Sequence, residues 1–375
     1  MSFRYAAGIN KPGFNPLGAQ TSTTLLSLFS WGFNNHGQLG LSNLTSFSSP
    51  NQVGALTDWL TVACGYYHNV ATKNDGTLWT WGWNSTGQLG LGNTTEYSSP
   101  KQVGTLTAWS KVSAGGGTTA AIKTDGTLWT WGYNNAGQLG LGNTVSRSSP
   151  NQVGALTNWS SIAVLNRSTL AVKTDGTLWS WGEGAFGVLG LGNTTSYSSP
   201  KQVGALTAWL KVAGGFYQSF AIKTDGTFWT WGYNNQGQLG LGDITNRSSP
   251  VQVGTLTNWL SATCGNYNSV AVKTDNTLWT WGRGQYGGLG LGNTTSYSSP
   301  KQVGALTNWL EISAGFYFCG AVKTDGTAWT WGYNSQGQLG LSTAYSQNKS
   351  SPTQIGSLTT WSKVTCGDGY YCLGL

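Results

Sequence analysis

Two histidines, His36 and His68, and three glutamates, Glu96, Glu183 and Glu311, are the residues of this chain best suited to general acid–base work. They stand at different points of the sequence, with no paired-carboxylate motif and no Asp-His-Ser order. Six of the nine aspartates, Asp75, Asp125, Asp175, Asp225, Asp275 and Asp325, precede a glycine or asparagine in a repeated turn, which explains them without catalysis. Five cysteines (Cys64, Cys264, Cys319, Cys366, Cys372) show no metal-ligand spacing. Cys64, Cys264 and Cys366 occupy a position where other copies carry Ala114, Gly214 or Ala314, so they read as small buried residues. The expectation is a protein that is not an enzyme and takes no cofactor or metal.

Those residues sit in a repeat. Trp-Gly recurs at Trp31, Trp81, Trp131, Trp181, Trp231, Trp281 and Trp331, an interval of 50 residues each time. A period of this length decides architecture before any other feature. In the unit that begins at Trp59, WLTVAC reads as a first strand and NVATK as a second. Asp75-Gly76 reads as a type I′ hairpin turn and TLWTWG as a third strand. Pro100 introduces a short KQVG segment, a fourth strand confined to the sheet edge because proline donates no ladder bond.

Four short antiparallel strands repeated radially predict an all-β fold, a seven-bladed β-propeller. The first copy starts at its third strand and the last stops in its second, so one blade closes with strands from both termini. Closure removes two open edges that would invite aggregation. Small residues at the end of each first strand suit a crowded axis. The 21 tryptophans are expected to pack within and between blades. The chain divides into an arm, residues 1–22, and the propeller, residues 23–375.

At WGxNxxGQLG the sequence resembles the regulator-of-chromosome-condensation repeat family, through residues 31–40, 81–90 and 231–240 and through GYYHNVATKNDGTLWTWG at residues 65–82. The resemblance runs from Leu25 to Leu375 and implies a seven-bladed propeller with shared-terminus closure. Members of that family include a nucleotide-exchange factor for a small GTPase, chromatin binders and a β-lactamase inhibitor. The exchange factor's wedge-like insertion has no room in a strict 50-residue repeat. The family's loop histidine is present at His68, and the corresponding positions read Thr118, Ser168, Gln218, Asn268, Phe318 and Tyr370. The arm, RYAAGINKPGFNPLGAQT, is similar to the opening segments of structural proteins from cyanobacterial phages. That resemblance implies an anchor, with Phe3, Tyr5, Phe14 and Leu17 as the docking side chains.

Charged residues are only 8% of the chain, and its 19 cations are spread almost evenly through the repeat despite a net charge of +7, which argues against a nucleic-acid partner. No apolar run is long enough for membrane insertion, and the first residues carry no signal-peptide pattern. The copies differ in the loop after the first strand, which supplies Tyr66, Tyr67, His68, Phe216, Tyr217, Tyr267, Phe316, Tyr317, Phe318 and Tyr371 to one face. They differ again after Trp-Gly, at Glu183 and Arg283. Aromatics beside amides make a recognition surface for protein or sugar. Tyrosines 97, 197 and 297 alternate with Arg147 and Arg247, which predicts Tyr–Arg cation–π contacts around the rim. The sequence thus predicts a display or fibre protein of a virion, held to other virion proteins by its arm and recognising a host-surface glycan or protein, otherwise cytoplasmic. The alternatives are a cellular regulator that binds a small GTPase or chromatin, and a purely structural spacer.

Overall fold

The computed structural model describes residues 26–342 and 345–375. It contains seven four-stranded antiparallel sheets. Six are built from consecutive strands, the first blade from Trp59–Cys64, His68–Lys73, Leu78–Gly82 and Tyr97–Gln102. We number the blades in chain order, so that the second to sixth begin at Trp109, Trp159, Trp209, Trp259 and Trp309. The seventh joins Val364–Gly367 and Tyr371–Gly374 to Phe29–Gly32 and Phe47–Gln52, the order being outer, third, second and inner strand. The predicted fold and its closure by both ends of the chain are observed. The proposed anchor residues Phe3, Tyr5, Phe14 and Leu17 lie outside the described residues.

Each blade carries the same aromatic wedge. Trp59 packs edge-on against Trp79 and tilted against Trp81, at centroid distances of 6.2 and 6.0 Å. The Trp81 ring is fully buried, and its indole donates to the Gln38 carbonyl of the preceding blade at 3.0 Å. The next joint repeats this with Trp131 and Gln88 at 3.0 Å. Each such ring removes ~200 Å² from water, worth roughly 5 kcal/mol before entropy is counted. Around the outer side Lys73 lies 4.9 and 4.3 Å from the Trp59 and Trp79 ring centroids, an arrangement repeated in the next five blades.

Three local expectations are corrected. Among the turn residues 74–76 only Gly76 has a positive φ, 78°. Gly76 N–H donates to the Lys73 carbonyl, and Asp75 Oδ1 accepts from both the Thr77 amide and hydroxyl. The hairpin is therefore a type I turn with a glycine bulge, because the aspartate side chain holds its own backbone out of the left-handed region. The outer strand begins at Tyr97, and Pro100 lies inside it, at a register irregularity in the pairing with Leu78–Gly82. The bulge absorbs the missing donor. Finally, Tyr97, Tyr197 and Tyr297 meet Lys101, Lys201 and Lys301 of their own strands at 5.5 Å, not arginines, while Arg247 pairs with Asp243 at 2.6 Å. Residues four apart on a bulged strand can reach each other.

Candidate functional site

The inner strands form a ring about an axial channel of about 230 Å³, lined by small residues such as Ala63, Ser113, Ala213 and Ser313. The loops that leave these strands surround one mouth of the channel. The loops after Trp-Gly reach the same face and touch them.

The two loop sets interlock across blades. Tyr67 of the first blade meets Phe33 of the seventh at 5.8 Å and also His36 and Trp83. Phe186 of the third blade lies 5.1 Å from Tyr217 and 4.5 Å from Tyr233 of the fourth. Tyr286 of the fifth stands in the same relation to Tyr317 and Tyr333 of the sixth, at 5.6 and 4.4 Å. Tyr267 stacks on Tyr317, Phe316 meets Tyr370, and Tyr66 and Phe216 cap their neighbouring tyrosines. Tyr66, Tyr67, Phe216, Tyr217, Tyr267, Phe316 and Tyr317 are all partly exposed. The result is an aromatic arc from the third-fourth joint to the first blade.

The arc is interrupted where the inner loop of the second blade is Gly115-Gly116-Gly117 and that of the third contains Arg167. Here Arg167 pairs with Glu183 at 3.3 Å and lies over Tyr133 at 5.8 Å. Arg283 instead joins the arc, donating to the Tyr317 hydroxyl at 2.9 Å with its guanidinium over Tyr267 and Tyr317. Burial holds the Tyr217, Tyr233 and Tyr317 hydroxyls above their usual range, and that of Tyr67 is pushed up to about 12. They present protonated donors at neutral pH.

The departures at Glu183 and Arg283 have a local cause. Five blades carry a buried asparagine after the third strand, such as Asn84, whose amide donates to the Asn93 and Thr95 carbonyls and whose Oδ1 accepts from Leu89. The third and fifth blades have Gly184 and Gly284 instead, and a Cβ there would lie 2.2 and 2.0 Å from the Thr195 and Thr295 carbonyl oxygens. Short 3-10 turns, Ala185–Gly187 and Gln285–Gly287, follow these glycines. Within them Phe186 and Tyr286 take φ of 59° and 60°, which carries their rings onto the next blade. Tyr317 and Tyr370 are also left-handed, both at 63°. A bulky residue held there costs of order 1–3 kcal/mol, and such strain gathers at functional sites.

Three predicted face residues are core. His68 is fully buried and its Nε2 meets Thr119 Oγ1 of the second blade at 2.9 Å. Because the Thr119 hydroxyl donates to the Gln88 carbonyl, His68 is the donor in that contact, and burial pulls its pKa down to about 3. Tyr371 is fully buried, donating to the His68 carbonyl at 2.9 Å, and Phe318 is buried as well. Register explains the error. Gly32 pairs with Tyr371 as Gly82 pairs with His68, so Tyr371, not Tyr370, is the counterpart of His68. Sequence reasoning also missed Phe33, Trp83, Tyr133, Tyr233 and Tyr333, although the residue following each Trp-Gly is aromatic in all five. His36 and Glu96, distant in sequence, meet at 3.1 Å on this face. Among the described residues no group of three His, Cys, Asp or Glu side chains could hold a metal ion.

The family model of the RCC1-like domain matches residues 23–373. Prp20p of Saccharomyces cerevisiae, studied for its binding to Gsp1p and histones, is 21% identical with a TM-score of 0.84 over 94% of this chain and 92% of its own. Human WBSCR16 is 21% identical, TM-score 0.82, over 93% and 98%. Yeast RCC1 (Prp20) bound to Kap60 is 20% identical, TM-score 0.84, over 100% and 96%. No curated protein sequence matches the chain.

Proposed function

The chain belongs to the family of RCC1-like domains, and on that premise we propose that it is a non-enzymatic recognition propeller that binds a protein partner on its aromatic face. The observation that carries this reading is the strained arc. Phe186, Tyr286, Tyr317 and Tyr370 occupy left-handed backbone and crowd one face. Nothing in the closure of a blade requires that cost, since the other blades close without it. Pre-placed, partly exposed aromatic rings with hydroxyl donors are the composition of protein-binding hot spots. The charged break at Arg167 and Glu183 gives the face a direction, so a partner would seat in one orientation.

A cellular regulator of the kind that holds a small GTPase or a chromatin protein fits this surface better than a virion display module. Nothing on the described surface is particular to a virion, and the arm on which that reading rested lies outside the described residues. The cations remain scattered, which favours a protein over naked nucleic acid. The test is calorimetric titration against purified small GTPases and core histones, using wild type, a Tyr217→Ala/Tyr317→Ala double variant and a rim control, Leu156→Ala. A saturable complex that weakens at least tenfold, about 1.4 kcal/mol, in the double variant alone supports the proposal. Binding that survives the double variant, or no binding by any member of the panel, contradicts it.

A further inference from the structure

The seventh blade breaks the repeat in a way that the fold does not require. In the first blade two residues, Tyr66 and Tyr67, separate Gly65 from His68, and Gly65 N–H bonds the His68 carbonyl. In the seventh, Gly367 pairs with Tyr371 and three residues intervene, Asp368, Gly369 and Tyr370. Asp368, the first residue of this longer loop, lies in the lining of the axial channel, as Asn166 of the third blade does. It is the one acidic residue among the channel-lining residues, whose other side chains are small, apolar or neutral polar.

This carboxylate has no hydrogen-bond or ion-pair partner among the described residues. The titratable groups that feel it are Cys264 across the channel and Tyr371 behind it, both neutral at physiological pH. The neighbouring Tyr370 is held protonated by burial. Lys111 and Lys211, early in their inner strands, and Lys363, just before its own, donate to the Ser160, Leu260 and Val62 carbonyls of adjoining blades, and Glu311 interacts with both Lys211 and Lys363. Burial alone pushes the Asp368 carboxyl up to about 6. Asp368 is partly buried and lacks a counter-charge, so a cation that reached it would gain an ion pair that the chain does not itself supply. The way in passes the loops that hold Tyr66, Phe216 and Phe316, whose ring faces attract cations.

We propose that this mouth is a receptor for one cationic side chain, a lysine or arginine, which the protein partner inserts past the aromatic rings to pair with Asp368. The inference rests on the reading of the face as a protein-binding surface and names the chemistry that the partner must present there. A channel of about 230 Å³ admits one long side chain. It is too small for a helix, which is about 10 Å across. A metal ion fits less well, because the carboxylate has no companion ligand of its own kind.

The experiment is carboxyl-carbon NMR of the full chain, with the Asp368 signal assigned by Asp368→Asn. The probes are N-acetyl-lysine methylamide, N-acetyl-arginine methylamide and the neutral N-acetyl-glutamine methylamide, each to tens of millimolar. Either cationic probe should lower the Asp368 titration midpoint, and the neutral one should not. Affinity should fall at least tenfold in Asp368→Asn. It should also fall as pH drops through about 6, because the carboxylate that binds the cation is then protonated. No shift with either cation, an equal shift with the neutral probe, or undiminished binding to Asp368→Asn would overturn the proposal. If Tyr217→Ala/Tyr317→Ala abolishes partner binding and Asp368→Asn leaves it intact, the face reading stands and the channel inference falls. If the probes engage Asp368 and no protein binds the face, the reverse holds.

Discussion

At the residue scale the same loop position does opposite jobs in different blades. His68, Gln218 and Asn268 look like a variable recognition column, yet Gln218 donates to the Gly265 carbonyl at 2.8 Å and Asn268 to Cys319 Sγ at 3.0 Å. All three stitch one blade to the next. Because His68 is held neutral, the unfolded chain takes up a proton that the folded one refuses. Its folded value lies below its unfolded one, so stability falls as pH drops below about 6.5, by about 1.4 kcal/mol at pH 5.5. His68→Gln, which copies the fourth blade, should fold and lose that slope. Urea melts of both proteins at pH 7.5 and 5.5 check it, and an unchanged slope would mean that His68 is not held neutral. Asp368 was hidden for a related reason. DGYY at residues 368–371 aligns without a gap to YYHN by eye, and only strand register shows that a residue has been inserted.

At the scale of the element, the strands and their order were legible because alternation, turn residues and tryptophan spacing all point the same way. The hairpin type was not, because Asp-Gly serves both a type I′ turn and a type I turn with a bulge. The side-chain bonds from Asp75 to Thr77 decide between them. The loop after Trp-Gly divides into an asparagine form and a glycine form, which the sequence displays but does not explain. The structure shows that Asn84 ties three backbone groups of its loop together, whereas the glycine form lets the chain approach closely and adds a 3-10 turn. Asn84→Ala should therefore cost roughly 1–3 kcal/mol, since it leaves the buried Leu89 amide without its partner and frees two loop carbonyls. Chemical denaturation would measure this, and a loss under about 1 kcal/mol would show that the loop has another support.

At the scale of the whole molecule, seven near-identical blades make a ring and the departures from identity give it a front. The aromatic arc, the Arg167–Glu183 break and Asp368 at the axis all lie among the loops of one face, while the opposite margin repeats exposed leucines such as Leu56, Leu106 and Leu156. Composition could show that the chain was rich in aromatics and poor in charge. It could not show which aromatics were spent on packing, because Tyr370 and Tyr371 differ only in which way one inserted residue turns them. The most direct test of the account is a hydrogen-exchange footprint of the protein with a bound protein partner. The account predicts protection in residues 66–67, 216–217, 316–317 and 368–370 and in the turns at 185–187 and 285–287, with the loops around Leu56, Leu106 and Leu156 unchanged. Protection confined to the leucine margin, with the aromatic loops exchanging as in the free protein, would contradict it.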